Sequence, residues 1–297
     1  MNLVDRATLT ALLALVACAS APQHVSTATA EPTAEPTRVL VTQATVPAEK
    51  WRTIFADEFD GPDGSLPDAN RWVFDTGGWG WGNKELEYYL NGPKNAFQAG
   101  GLLHLVAVKG GVDMLDCWYG ACQYSSARIK TKGKLAFTYG KVSARIKIPK
   151  GQGIWPAFWM LGANIDSRSW PGCGEIDLME VIGREPRLAH GTFHGPGYAG
   201  AQGPSSTWSP PRGEVGDDFH VFALDWEAKR LRFYVDGELY ATRSPADIPP
   251  EETWVFDHDF FLLLNVAVGG TWPGDPDAST PFPAELLVDW VRVEVRE

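Results

Sequence analysis

The sequence predicts an all-β protein built as a two-sheet sandwich, on three observations. Short runs of β-branched and aromatic residues recur along the chain with Gly, Pro or Asp turn signals between them. No segment sustains a 3.6-residue apolar period for more than a turn or two, so helices are not expected to contribute. Composition agrees: 13 Trp and 31 Gly against 4 Met suit a turn-rich β-protein with an aromatic surface. Strands without helices pack most simply as two sheets face to face.

The expected strands are Thr53–Phe59, Leu102–Val108, Ala127–Thr131, Lys141–Ile148, Ile154–Leu161, Ile176–Ile182, Ala189–Phe193, His220–Trp226, Arg230–Val235, Phe261–Val266 and Leu286–Val295. In Lys141–Ile148, Val142, Ala144, Ile146 and Ile148 fall on one face, while Lys141, Ser143, Arg145 and Lys147 fall on the other. Arg230–Val235 alternates in the same way and runs into Asp236-Gly237, a strong hairpin turn signal. Trp51, Trp72, Trp226 and Trp290 are expected in the core. There is no internal repeat.

Before this domain the chain changes character. Residues 1–18 read as a secretory signal peptide, with Arg6 followed by an apolar run from Ala7 to Ala17 that is too short to span a bilayer. Its end, Leu15-Val16-Ala17-Cys18, resembles a bacterial lipobox, in which Cys18 is the site of lipidation. The expected location is therefore outside the cytoplasm, as a cell-surface or outer-membrane lipoprotein or else secreted. The lipid would be the only membrane attachment. Residues 19–50 are Ala/Thr/Pro/Glu-rich, bury too little apolar surface to offset their ordering entropy, and read as a disordered linker. The folded domain is expected over residues 51–297.

A formal charge of −11 without a basic run excludes nucleic acid and anionic membranes as partners and is compatible with a neutral polymer. The expected assembly is a monomer. Cys117 and Cys122 lie close together in a Trp/Tyr/Gly-rich loop; in an exported protein they can form a disulfide, or they can stay reduced and buried. Cys173 would be left alone. No Cys or His spacing fits a zinc site.

The chemistry concentrates in Gly174-Glu175-Ile176-Asp177-Leu178-Met179-Glu180-Val181, with three carboxylates interleaved with large apolar residues. Unpaired charges are costly to bury, so an apolar strand does not normally carry so many. On a helix, at about 100° per residue, the three acids would share no tight face. On a strand Glu175 and Asp177 point the same way, but strict alternation would send Glu180 into the apolar face. One extra residue at Leu178-Met179, a β-bulge, returns Glu180 to the acidic face. Two glutamates flanking an aspartate on an open sheet face suit cleavage of a glycosidic bond: a nucleophile, an acid/base, and a group that separates their pKa values. A solvated acidic edge and a calcium site are the competing readings, and the apolar frame of Ile176, Leu178, Met179, Val181 and Ile182 argues against a solvated edge.

This segment resembles the bulged E-x-D-x-x-E signature of family 16 glycoside hydrolases. The likeness extends through Asp57-Glu58-Phe59, Gly80-Trp81-Gly82-Asn83-Lys84-Glu85-Leu86, Ser126-Ala127-Arg128-Ile129, Trp155-Pro156-Ala157-Phe158-Trp159-Met160-Leu161, Asn265-Val266-Ala267-Val268-Gly269-Gly270 and Val288-Asp289-Trp290-Val291-Arg292-Val293. Together these point to the laminarinase-like branch, the endo-β-1,3-glucanases. The resemblance implies a concanavalin-like jelly roll with the cleft on its concave sheet. It assigns Glu175 as nucleophile, Asp177 as assisting acid and Glu180 as acid/base in a retaining hydrolysis that needs no catalytic cofactor. It also implies sugar contacts from Trp159, Trp170, Trp155, Arg128, Asn83 and His194, the last lining the leaving-group side. A structural calcium ion would be held by Glu58, the Gly101 carbonyl and Asp289; the alternative is that both acids pair with nearby arginines such as Arg292. Lys84 and Glu87 depart from the commoner Asn-Asn-Glu-Leu-Gln pattern. The rival readings are the same chemistry on mixed-linkage glucan, agarose or carrageenan, transfer instead of hydrolysis, and a non-catalytic carbohydrate-binding protein, since fold alone does not settle function.

Overall fold

The computed structural model describes residues 50–297. The signal segment, Cys18 and all but the last residue of the linker lie outside the described residues. Two largely antiparallel sheets hold all of the strands but one short hairpin. The larger has ten strands, with a path β17 (Glu238–Arg243), β16 (Arg230–Val235), β15 (His220–Glu227), β10 (Gly140–Lys147), β19 (Ala284–Arg296), β5 (Leu102–Lys109), β8 (Tyr124–Ser126) and β3 (Glu87–Tyr89). β1 (Trp51–Asp57) adds to β19 and β4 (Ala96–Ala99) to β5, and the β3–β8 pair is parallel. The smaller sheet orders β14 (Ser205–Trp208), β13 (Ala189–His194), β12 (Glu175–Glu180), β11 (Ile154–Gly162), β18 (Phe260–Val268), β9 (Arg128–Lys130) and β2 (Val73–Phe74). A separate hairpin pairs β6 (Asp116–Cys117) with β7 (Gly120–Ala121). Among the described residues no helix is long and apolar enough to cross a membrane.

The core lies between the two sheets, and strand parity decides what enters it. Val142, Ala144 and Ile146 of β10 are fully buried against Ile176, Leu178 and Met179 of β12 and Leu262, Leu264, Val266 and Val268 of β18, all in one cluster. Each large side chain buried there contributes about 1.5–3 kcal/mol. The Asp236-Gly237 turn behaves as its sequence predicts: both residues have positive φ, 50° and 81°, which a two-residue hairpin of this kind requires. Trp72 and Trp226 are core residues, at 2% and 1% exposure. Trp51 and Trp290 are not. Both are half-buried on the outer face, with Lys141 and Arg296 against Trp51 and Arg292 against Trp290. On a strand exposed to solvent on one side, a cation over the ring is the cheaper cover.

The expected calcium ligands meet as backbone but not as ligands. β1 pairs Asp57 with Val291 and β5 pairs Leu103 with Val288, which brings Glu58, Gly101 and Asp289 to one corner of the large sheet. There Arg292 donates to both Glu58 oxygens at 2.9 Å, and Arg145 donates to Asp289 Oδ2 at 2.6 Å. The carboxylates are already neutralised, so the donor set does not fit a calcium ion without breaking two arginine pairs. The arginine alternative is the arrangement observed.

Of the two states open to Cys117 and Cys122, the disulfide is the one observed, while Cys173 is free and buried.

Candidate active site

The acidic strand β12 carries the predicted bulge. Against β11, Phe158 faces Met179 and the next residue, Trp159, faces Asp177, so Leu178 is the extra residue. Against β13 the shift falls between Asp177, opposite Thr192, and Glu180, opposite His190. Leu178 and Met179 both enter the core, at 2% and 0% exposure, and Glu180 turns to the outer face. The apolar pair drives this: seating both in the core is favourable, and it places the next side chain on the opposite side.

On that face the acids are tightly grouped. His194 Nε2 lies 3.1 Å from Asp177 Oδ2 and 3.7 Å from Glu175 Oε1. Donor atoms of Glu175, Asp177 and His194 all fall within 4.8 Å of one another, a spacing that would also suit a metal ion. Trp155 Nε1 donates to Glu180 Oε1 at 3.0 Å and so fixes its rotamer. Burial pushes all three carboxyls up. Glu180 rises to about 8, from burial first and then from the Asp177 charge. Glu175 and Asp177 are raised well above the ordinary carboxylate range, Asp177 by burial alone. Glu175 is raised by burial and then by the Asp177 charge, and is pulled partly back by the His194 and Arg128 charges. Of the two, only Glu175 has cationic groups drawing its pKa back down.

One flank of the cleft is an aromatic stack. The Arg128 guanidinium lies 4.8 Å from the rings of both Trp81 and Trp159, sandwiched between them, and pairs with Asp75 at 3.0 Å. Trp159 Nε1 donates to Asn265 Oδ1 at 2.8 Å, and Asn265 Nδ2 donates to the Tyr89 hydroxyl at 3.1 Å. Trp159 is therefore held in one orientation beside Asp177. Asn83 donates to Glu85 Oε1 at 3.1 Å, while its carbonyl accepts from Thr271 N at 2.8 Å, tying two cleft loops together. Glu85 and Glu87 are both buried, which raises both carboxyls, Glu87 well above the ordinary range with the Glu85 charge adding to it. Trp170 is 46% exposed, with its ring 6.3 Å from that of His194.

The predicted residues thus converge. Trp155 orients Glu180 as well as lining the cleft. The register sets His194 opposite Glu175, and His190 is the histidine opposite Glu180.

Residues 82–292 match the glycosyl hydrolases family 16. The chain belongs to that family.

Among its relatives in family 16, the Beta-glucanase of Rhodothermus marinus is 41% identical over 258 residues, covering 83% of this chain and 86% of that protein. The structure of an endo-beta-1,3-glucanase from Pyrococcus furiosus superposes with a TM-score of 0.78 at 45% identity, covering 85% of this chain and 97% of that one. The catalytic domain of a laminarinase from Thermotoga petrophila RKU-1 gives 0.77 at 44% identity, covering 84% and 99%.

The family 16 cleft contains residues that sequence reasoning passed over. Trp272 packs edge-on to Trp155 at 5.4 Å and against His190 at 5.0 Å, so it walls the Glu180 side. Burial lowers the His190 pKa, which keeps a neutral imidazole there. Trp272 lies two residues after the Asn265–Gly270 motif and could have been found by extending it. Glu85 lies inside the Gly80–Leu86 motif, but nothing in a loop glutamate says that it will be buried.

Proposed function

We propose that this family 16 protein is an endo-acting, retaining hydrolase of β-1,3-glucan. The observation that carries the mechanism is the bulge, which sets Glu175, Asp177 and Glu180 on one face with a proton held on Glu180 up to about pH 8. In the first step the Glu175 carboxylate attacks the anomeric carbon and forms a glycosyl ester. The bond to the leaving oxygen breaks as Glu180 gives that oxygen its proton. Glu180, now a carboxylate, takes a proton from water, whose oxygen displaces Glu175 and restores the starting configuration. Protonated Asp177 supports Glu175: a neutral neighbour lets the nucleophile stay charged where two anions could not. Trp159 and Trp170 offer ring faces to the sugar's C–H surfaces; Arg128 and Asn83 brace the cleft wall.

The β-1,3 linkage is supported by the glucanase and laminarinase names of the relatives and by their near-complete alignment with the folded part of this chain. A binding protein without catalysis would gain nothing from a glutamate kept protonated at neutral pH. Digestion of laminarin, lichenan, agarose and carrageenan, with products resolved by chain length, tests the reading. Internal cleavage of laminarin is expected. Cleavage of agarose or carrageenan alone would move the substrate, and binding without cleavage would favour the lectin-like alternative. An added acceptor sugar measures transfer against hydrolysis.

Export and lipid attachment at Cys18 belong to the same proposal, since a polymeric glucan is met outside the cytoplasm; radiolabelled palmitate incorporation lost in Cys18→Ser tests it. With Glu58 and Asp289 both held by arginines, chelator treatment should leave the melting temperature unchanged. A fall that calcium reverses would show a bound stabilising ion, and its loss in Asp289→Asn would assign it to that corner.

A further inference from the structure

Beyond the cleft, two indoles stand in solvent although the fold goes to some length to fix them. Trp79 is 62% exposed and Trp118 is 48% exposed. Trp118 sits at the turn of the β6–β7 hairpin, inside the Cys117–Cys122 disulfide. Three hydrogen bonds dock that hairpin on the cleft loop: Trp118 N to Gly78 O at 2.9 Å, Trp118 Nε1 to Glu85 O at 2.7 Å, and the Tyr119 hydroxyl to Leu86 O at 2.6 Å. Its apolar underside, Val112, Cys117 and Cys122, packs with Tyr88, Leu90, Leu115 and Tyr119 as a separate small core.

Two glycines let the rings lie flat against the loop. A Cβ on Gly80 would meet Trp118 Cδ1 at 2.9 Å, and one on Gly77 would collide with the Trp79 ring. Trp79 then packs on Trp81 at a 40° tilt, centroids 4.2 Å apart, and Arg128 lies over both the Trp81 and the Trp159 ring. One line of rings therefore runs from beside Asp177 to the exposed edge of the molecule.

We propose that Trp79 and Trp118 form a distal platform for the glucan chain, held ready by the disulfide hairpin and continuous with the cleft. The proposal rests on the glucan reading above. Exposed, rigid rings lose little freedom on binding, which is where their benefit to affinity lies. A freely mobile surface Trp would need neither the disulfide nor the two hydrogen bonds that Trp118 makes. The occupant is a sugar polymer, because the platform extends a stack that already ends at the glycosidase carboxylates. Only chains long enough to reach from those carboxylates to Trp79 would use it.

The test compares wild type with Trp79→Ala/Trp118→Ala on laminarin and on a β-1,3-linked trisaccharide, with melting curves for both proteins. The KM for laminarin is expected to rise about tenfold with kcat within twofold, and kcat/KM on the trisaccharide to hold. Reduction of wild type at Cys117–Cys122 should produce the same polymer-selective loss in smaller measure. Unchanged KM on laminarin, or equal losses on both substrates, overturns the proposal. If the double variant does not fold, Trp79→Ala alone decides, since it leaves every hydrogen bond of the hairpin in place. Failure of wild type to cut laminarin would instead refute the substrate reading. The platform is then judged by the same polymer-against-oligomer comparison on whichever glycan of the panel wild type cleaves.

Discussion

Glu175→Gln should lower kcat on laminarin by at least about 10⁴-fold while the melting curve stays cooperative. The reason is that an amide cannot form the glycosyl ester, and loss of a covalent nucleophile removes the reaction path itself. The substitution is nearly isosteric, so the cleft should still bind glucan. Retained binding without turnover separates a catalytic role for Glu175 from a structural one. The protein should also be at least as stable as wild type. Glu175 is a largely enclosed carboxyl whose pKa is raised by desolvation and by Asp177, so its ionised form is a cost in the folded state that an amide avoids.

The second large effect is on pH. Glu180 acts as an acid only while protonated, and its pKa is raised to about 8. Activity is therefore expected to persist through neutral pH and to fall about tenfold per pH unit above 8. Stability should follow the same group. A carboxyl whose folded pKa lies above its unfolded value binds more protons in the folded state between the two. Its favourable contribution is complete below pH 4.5 and is lost as pH rises to about 8. Glu180→Gln holds no titrating proton, so it should melt higher than wild type by about 3 °C or more above pH 8. At pH 4 the difference should close. Its activity on laminarin should fall by about 10²–10⁴-fold, the usual worth of a general acid. A wild-type profile that stays flat to pH 10 would remove Glu180 from the acid/base role.

What the sequence disclosed, and what it withheld, divides along physical lines. The bulge was legible because Leu178-Met179 breaks a strict period, and burying both apolar side chains leaves Glu180 only one face to occupy. The alternation of β10 and the Asp-Gly turn after β16 were legible for the same kind of local reason. Eight of the observed strands were not. β17 is mostly exposed, and β14 is a Ser/Thr-rich edge, so neither carries an apolar alternation to detect. β2, β6 and β7 are two residues long and exist only because longer strands position them. Within the site, the acids followed from spacing, but the partners that tune them did not. Trp155 donating to Glu180, and Arg128 clamped between Trp81 and Trp159, depend on side-chain directions that no periodicity encodes. The same holds for Glu58 and Asp289, where sequence position suggested a shared cation and tertiary packing supplied Arg292 and Arg145 instead.

The central claim is that one bulged strand carries out a double displacement, and the anomeric configuration of the first product tests it most directly. Laminarin digested in an NMR tube should release reducing ends whose first detectable signal is the β-anomer, with the α-anomer appearing later by mutarotation. An α-anomer formed first would mean a single inversion, and would contradict the assignment of Glu175 as nucleophile and Glu180 as acid/base.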